Sequence, residues 1–418
     1  MENNNSSARP LAQNILLFCV IILSLSGIYL FKIGDFEITP FYLFSPLLVI
    51  SYFYLKLYNN EEIQKYRIFI RWLIIVAIAS SAISLYIRPS ALLHFMFYVF
   101  NGYILICLGC YCSSDESFFL KLAKINKFII YIFSFDVVIA NILYVLGVEN
   151  SFLSALFPVY YDYDKIRFAA FTSEPSYLAI ILTICIMSLI SYSKIYEEIK
   201  FKRELIFYVV ALVLARTTYG FMCIGLTFAF LYQQNSERIE NKVVIYIRLI
   251  LLSLFLVIGI WLLQENEYLQ RLGSLIGSIT TENNLESFIY NLNDNDSSAA
   301  MRILPSFLFF QSISWLDLQL WFGHGIGANT QYFTDVLEYT EKTINLGFIP
   351  AAIYDFGLLG SFSFIYLIFK RGVSSVPWIM KLLLFLSFVN CNISTQLFWF
   401  CVIQLLFVSM TRDSELEE

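Results

Sequence analysis

Long apolar runs follow one another along most of this chain, and short segments between them carry the polar and charged residues. A run of about 20 apolar residues is long enough to cross a bilayer as a helix. The pattern predicts such spans at about 14–31, 41–58, 68–87, 91–112, 128–146, 171–193, 243–263, 346–369, 378–393 and 395–410. We therefore expect an all-α polytopic membrane protein that forms a single integral membrane domain over residues 1–418.

The segment 205–232 departs from this pattern because an arginine interrupts it. Eleven apolar residues at 205–215 are followed by Arg216-Thr-Thr-Tyr219-Gly220 and then by a second apolar run at 221–232. An arginine in the middle of a spanning helix costs about 2.5–3.5 kcal/mol on insertion scales. We predict two short helices that meet at a membrane surface, which raises the expected number of spans to about twelve.

The placement of lysine and arginine supports this count, because cytoplasmic loops are enriched in both residues. With the N-terminus inside, 19 of the 27 basic residues fall on the cytoplasmic side. Joining 205–232 into one span would place the later basic loops outside. One positive charge, Arg9, precedes the first span and no small-residue cleavage site follows it, so we expect that span to be retained. Both termini are then cytoplasmic.

Two segments on the predicted outer side are longer than the other connections. One is 147–170, and the other is 264–345, about 80 residues long. The longer loop begins with a polar, acidic part and continues into an amphipathic helical stretch at 304–321. A glycine-rich turn follows at 323–327. This turn lacks the preceding strand and following helix of a phosphate-binding loop, which argues against an ATP site.

Composition limits the function classes further. Hydrophobic residues make up 59% of the 418 residues and charged residues 14%, against about 25% charged in soluble domains. Twelve spans of about 20 residues would use about 240 residues, which leaves little room for a soluble catalytic domain. The net charge of −5 and the lack of a basic stripe argue against nucleic acid as a partner.

The eight cysteines all lie in or at the ends of apolar runs. Cys107, Cys110 and Cys112 have the spacing of a metal cluster but end a hydrophobic span with no histidine nearby. We interpret them as membrane cysteines and expect neither a metal site nor a disulfide framework.

Arginines are the main candidate functional residues on the outer side, where basic residues are scarce. Arg167, Arg216 and Arg302 each lie where a hydrophobic element begins or ends. The guanidinium group binds phosphate or diphosphate through a planar fork of donors, whereas anchoring at the membrane interface is the simpler alternative. Arg216 stands out because helices broken at membrane depth usually line a cavity. Its charge would also favour the C-terminal end of the first short helix.

Residues 167–179 predict a helix that starts at Pro175, after a capping residue. Capping is a sufficient explanation for Ser173 and Ser176. Glu174 needs another one, since a carboxylate at a membrane entry is costly. It either pairs with an arginine, which we favour, or acts as a base toward an acceptor hydroxyl.

The chain has two histidines. His324 lies among the glycines of the outer loop, where it is either an ordinary exposed residue or a substrate contact. His94 lies early in a span, and we expect it in the core.

These elements, taken in order, resemble the O-antigen polymerase and ligase superfamily, which includes the Wzy-type polymerases and the lipid A-core ligases. The resemblance covers residues 165–362. The first 150 residues match only in their pattern of spans. Five short motifs carry the resemblance. They are Arg167 with Phe171-Thr-Ser-Glu174-Pro175-Ser176, then Arg216-Thr-Thr-Tyr219-Gly220, Ala300-Met-Arg302, Phe322-Gly-His324-Gly-Ile-Gly-Ala-Asn329 and Tyr354-Asp-Phe-Gly-Leu-Leu-Gly360.

The resemblance implies an inverting glycosyl transfer, without metal or cofactor, on the periplasmic face of the bacterial inner membrane. The implied donor is a glycan on undecaprenyl diphosphate, and the acceptor is the non-reducing end of another lipid-linked repeat unit. Arg216 and Arg302 would neutralise the leaving diphosphate, with Glu174 as the candidate base. The implied substrate-binding residues are Arg167, Tyr219, Ser176 and, less directly, His324. Membrane lipids and a chain-length regulator protein are the other candidate partners.

Two alternatives stay open at this level. Ligase relatives often carry a histidine after the glycine motif, where this chain reads Thr330-Gln-Tyr-Phe, and this difference favours a polymerase. A lipid-linked oligosaccharide flippase would also have about twelve spans. However, it would show charges within several spans and short loops on both sides. The long outer loop therefore favours the polymerase.

Overall fold

The computed structural model describes residues 5–33, 36–57, 64–147, 159–162, 165–236, 314–329, 348–388, 391 and 393–417. This part of the chain is mostly helical. The helices are α1 (Asn5–Ser24), α2 (Pro40–Tyr54), α3 (Gln64–Ser84), α4 (Pro89–Ser113), α5 (Glu116–Val145), α6 (Pro175–Ile195), α7 (Lys202–Leu214), α8 (Thr218–Ser236), α9 (Leu318–Phe322), α10 (Phe348–Leu367), α11 (Trp378–Ser387) and α12 (Gln396–Glu417). A π-helical turn, Ile368–Gly372, continues α10.

Four of these helices are long and apolar enough to cross a membrane. Three are α4, α5 and α6, and the fourth is α10 together with its π-helical turn, over Ile349–Lys370. Five further apolar helices are shorter, namely α1, α2, α3, α11 and α12 over their apolar parts. These are the features of an all-α membrane protein, as the sequence predicts.

The predicted spans that lie within the described residues coincide with helices, but several bounds differ. The span at 243–263 lies outside the described residues. The first span was placed at 14–31, whereas α1 ends at Ser24. Beyond α1 the chain packs closely on the segment before α6, since Gly27 N donates to Phe171 O at 2.9 Å and a Cβ at this glycine would overlap the backbone of Thr172. The last part of the 378–393 span is also not helical, since α11 ends at Ser387.

Within the residues that the structure describes, two antiparallel hairpins interrupt the helices. Strands β1 (Phe31–Ile33) and β2 (Phe36–Ile38) form the first hairpin, between α1 and α2. Strands β3 (Val159–Asp162) and β4 (Lys165–Phe168) form the second, within the outer loop predicted at 147–170. The sequence predicts this segment only as a long outer loop, and the hairpin adds regular structure to it. Pairing two strands satisfies backbone groups that neither strand could satisfy alone.

Helix α6 lies at the centre of the bundle. In its most apolar stretch, 83% of the residues are buried inside the protein. It packs against α5, α8 and α12. A helix that is apolar all round is expected in an interior position, and burial on every side agrees with that expectation.

The segments at one end of the bundle contact one another, and we call this region the loop end. It comprises residues 25–33, 36–39, 85–88, 165–175, 215–217, 323–329 and 393–396. They are joined by hydrogen bonds from Gly27 N to Phe171 O (2.9 Å), from Phe168 N to Ala215 O (3.4 Å), from Arg88 N to Ile326 O (3.1 Å) and from Gln396 Nε2 to Thr39 Oγ1 (2.6 Å).

The amphipathic helix predicted at 304–321 is described only in its last part. There, residues 314–317 form a turn and the helix α9 begins at Leu318. Asp317 caps it, since its carboxylate accepts a hydrogen bond from the backbone N–H of Gln319. The prediction of a helix is therefore wrong for residues 314–317, because the Asp317 cap starts α9 at Leu318.

Candidate functional site at the loop end

The break predicted within 205–232 is present, and Arg216 lies in it. Helix α7 ends at Leu214 and α8 begins at Thr218. Arg216 has φ +53°, which places it in the left-handed region. This conformation costs an L-residue about 1–2 kcal/mol, and glycine usually occupies such a position after a helix. A residue held in a costly backbone conformation is a candidate for function.

The Arg216 guanidinium lies over two aromatic rings. Its Cζ is 6.0 Å from the centre of the Tyr144 ring at the end of α5, and 5.7 Å from that of Phe168 in β4. Both contacts are cation–π interactions, which use the face of the guanidinium plane. The N–H donors point outward in that plane, so this packing is compatible with binding an anion at its edge.

Arg167 precedes Phe168 in β4, and its side chain leaves the opposite face of the strand, since successive Cβ atoms alternate. Arg167 is buried, with 8% of its surface exposed. The structure therefore brings Arg167 and Arg216 to the same hairpin, but to opposite faces of it. Tyr219 lies three residues after Arg216 in the first turn of α8 and is half-buried.

The helix start predicted at Pro175 is confirmed, with Glu174 in the extended conformation of an N-cap residue. Ser176 Oγ donates a hydrogen bond to Glu174 Oε2 at 3.1 Å. Ser176 therefore orients the carboxylate at the entrance to α6. The pairing of Glu174 with an arginine stays a prediction.

His324 is packed on Tyr354. The two rings are parallel within 4°, with their centres 4.0 Å apart, and the His324 backbone N–H donates to Tyr354 O at 2.8 Å. Burial lowers the pKa of the His324 imidazole below its usual value of 6.5. The structure gives His324 a packing role, and it is not among the residues that line the two cavities described below.

The glycine motif at 323–329 wraps around Asp355, a residue that the sequence analysis did not single out. Gly327 N donates to Asp355 Oδ2 at 3.1 Å, and Asn329 N donates to Asp355 Oδ1 at 2.9 Å. Asn329 Nδ2 donates to Asp355 Oδ2 at 2.6 Å. Successive backbone amides of this kind form an anion-binding concavity. Here the protein's own carboxylate fills it, and a charge inside a predicted span was the signal that could have identified Asp355.

Two adjoining cavities lie at the loop end. The first has a volume of about 320 Å³, and Arg88, Asn329 and Asp355 line it along with others. The second is about 170 Å³, and Ser173 and Tyr177 are part of its wall. Both cavities are lined by His94, Ser394 and Thr395, and we call the pair the joined cavity.

The expectation that His94 belongs to the core is wrong, because its side chain is half-buried and lines both cavities. Arg88, the residue before α4, also lines the larger cavity. No local pattern marked either residue. Both lie at the start of α4, and they line the cavities because α2, α10 and α12 pack around this part of the helix.

Two further predictions concern charge and metal chemistry. Arg302 lies outside the described residues. Cys107, Cys110 and Cys112 are buried in α4. Within the described part of the chain, no three His, Cys, Asp or Glu side chains are grouped closely enough to hold a metal ion.

Comparison of the chain with protein-family models, with curated proteins and with solved structures finds no match.

Proposed function

We propose that this protein is a polysaccharide polymerase of the bacterial inner membrane. It transfers a glycan from undecaprenyl diphosphate to the non-reducing end of another lipid-linked repeat unit. In this proposal the chain has about twelve spans, both termini are cytoplasmic, and the loop end faces the periplasm. A chain-length regulator protein is a candidate partner.

The observation that carries the proposal is Arg216, held in a left-handed backbone conformation at a helix break. Its charge lies at one end of an apolar helix bundle, against the β3–β4 hairpin. A substrate with a lipid tail and a diphosphate-linked glycan needs this combination, because its tail stays in the membrane while its phosphates and sugars lie at the surface.

The chemistry assigned to Arg216 is electrostatic. As the bond between the anomeric carbon and the phosphate oxygen breaks, negative charge builds up on the leaving diphosphate. A guanidinium group fixed at that point stabilises the charge in the transition state more than in the ground state. Arg302 is proposed as a second such group. Glu174 and Ser176 stand at the entrance to α6, where an acceptor hydroxyl could approach.

The test is a surface-glycan gel of the native host with the gene deleted and then restored. We expect deletion to remove the long ladder while single-repeat caps remain, and the restored gene to bring the ladder back. Loss of all caps, with polymer still accumulating on the lipid carrier, would instead identify a ligase. Loss of both, with single lipid-linked repeats trapped inside the cell, would identify a flippase. Either of these results overturns the proposal.

A further inference from the structure

We propose that the joined cavity binds a sugar unit of the glycan, at a site separate from the reaction. The ligand class is a hydroxyl-rich saccharide, and Ser26 and Gln396 are the residues that recognise it. Arg216 lines neither of the two cavities, so the bound sugar is one that takes no part in the step at Arg216. The inference rests on the proposed function for the source of this sugar.

Two buried polar atoms in the wall of the smaller cavity lack a hydrogen-bond partner. Gln396 is 4% exposed, and its Oε1 accepts no hydrogen bond within the described part of the chain. Ser26 is 9% exposed, and its Oγ is likewise unpaired there. Both residues line the smaller cavity. Buried polar groups are rarely left unpaired because this is costly, and a ligand that pairs with them explains both.

The amide of Gln396 is held in a fixed orientation. Its Nε2 donates to Thr39 Oγ1 at 2.6 Å, and Thr39 is the N-cap residue of α2. Thr39 is also hydrogen-bonded to Tyr98 in α4. The amide nitrogen is thus engaged, and the carbonyl oxygen is the part that has no partner. Because three helices hold this group, its acceptor is preorganised for a ligand.

The chemistry of the unpaired groups selects a hydroxyl rather than a phosphate. A carbonyl oxygen only accepts hydrogen bonds, so the ligand must donate to Gln396 Oε1. The ionised phosphates of a lipid carrier offer acceptors only, whereas a sugar hydroxyl donates to Gln396 and also accepts from Ser26 Oγ. In the larger cavity, Arg88 and Asp355 carry opposite formal charges, so this pair does not favour a charged ligand.

The joined cavity also has the size and the surface that a sugar needs. The larger cavity, of about 320 Å³, lies within the usual range of ligand pockets, roughly 300–1,000 Å³. Its wall combines the rings of Phe95 and Phe356 with polar groups of Ser90 and Asn329. Apolar walls with a few polar groups are typical of ligand sites. They suit a sugar ring, which carries C–H groups as well as hydroxyls.

The experiment measures binding of the host's repeat-unit oligosaccharide, released from its lipid carrier, to the full-length protein in detergent. Saturation-transfer NMR during a titration gives the affinity. Ser26→Ala should weaken binding by about 2–12-fold, as expected for the loss of one hydrogen bond. The same change removes an unpaired buried hydroxyl, so the thermal midpoint without sugar should stay at the wild-type value or rise. A purely structural residue would not lower affinity while leaving stability intact.

Ser361→Ala is the matched control. Ser361 is 2% exposed and its Oγ is also unpaired within the described residues, but it lines neither cavity. This variant should affect stability as Ser26→Ala does and leave the affinity for the sugar unchanged. Ser394→Trp is the second variant, because Ser394 is half-buried and lines both cavities. The indole should block sugar binding, and elution as the wild-type species in detergent shows that this protein is folded.

Two results would overturn the inference. One is a wild-type protein that binds no repeat-unit sugar, and the other is wild-type affinity in both Ser26→Ala and Ser394→Trp. The unpaired groups would then hold water only, and the proposed function would stand as long as deletion of the gene removes the glycan ladder. A host that keeps its ladder after the deletion would overturn the proposed function, even when the protein binds the sugar as expected.

Discussion

Replacing Arg216 by glycine separates a functional role for this side chain from a structural one. Glycine adopts the left-handed conformation at φ +53° without the steric cost that an arginine meets there. For a purely structural residue, glycine would be an acceptable substitute at this helix end. For a residue that binds diphosphate, it removes the essential group while keeping the backbone.

The effect of Arg216→Gly on the free energy of unfolding follows from the backbone conformation and the contacts of Arg216. Relief of the left-handed conformation contributes about 1–2 kcal/mol of stability. Against it stand the greater freedom of glycine in the unfolded chain, about 0.4–1 kcal/mol, and the loss of the contacts with Tyr144 and Phe168, about 0.5–1 kcal/mol each. The free energy of unfolding should stay within about 1 kcal/mol of wild type. Loss of one charge-stabilising group should lower the rate of polymerisation by about 10²–10³-fold.

The assay restores the deleted gene with the variant and compares the surface-glycan ladder and the protein level with those of wild type. We expect single-repeat caps without a ladder and a normal protein level. Lys56→Gly is the matched control, because Lys56 is also a basic residue in the left-handed conformation, with φ +50°. It follows α2, about 24 Å along the helix axis from Thr39 at the loop end. This variant should retain the full ladder.

A full-length ladder in the Arg216→Gly strain, at equal protein level, would refute the reasoning. It would show that diphosphate binding does not need this guanidinium. Arg216→Lys refines the result, since lysine keeps the charge but lacks the planar fork. A partial ladder is the expected outcome for that variant.

Two further predictions concern the glycine motif and its neighbours. Gly357 has φ +72°, and a Cβ there would overlap the Trp321 carbonyl oxygen, so Gly357→Ala should lower the thermal midpoint in detergent by several degrees. Gly225→Ala is its control, because a Cβ meets nothing nearby in α8, and it should leave the midpoint unchanged or raise it. Because burial lowers the pKa of His324, the folded state takes up its proton at a lower pH than the unfolded state does. The thermal midpoint should therefore fall as the pH drops below about 6.5, and His324→Gln, measured at the same pH values, should show a smaller fall. An equal fall in both proteins would contradict this role for His324.

The sequence by itself determined the class of the protein and the positions of most helices. Each apolar run predicts its helix without reference to the rest of the chain, because a backbone in lipid must satisfy its own hydrogen bonds. The same local physics predicted the break at Arg216, where a charge interrupts an apolar run. It also predicted the start of α6 at Pro175, where proline fits the first helical position.

Only the tertiary structure decided which residues share the loop end. His94 and Tyr42 are 52 residues apart in sequence, and Asp355 lies 28 residues after the Gly327 amide that binds it. Contacts of this kind depend on how the surfaces of separate helices fit together. The hydrophobic pattern of one segment records which face is apolar, but not which polar group of a distant segment will meet it. The joined cavity, which needs side chains from several helices and loops at once, therefore had no signature in the sequence.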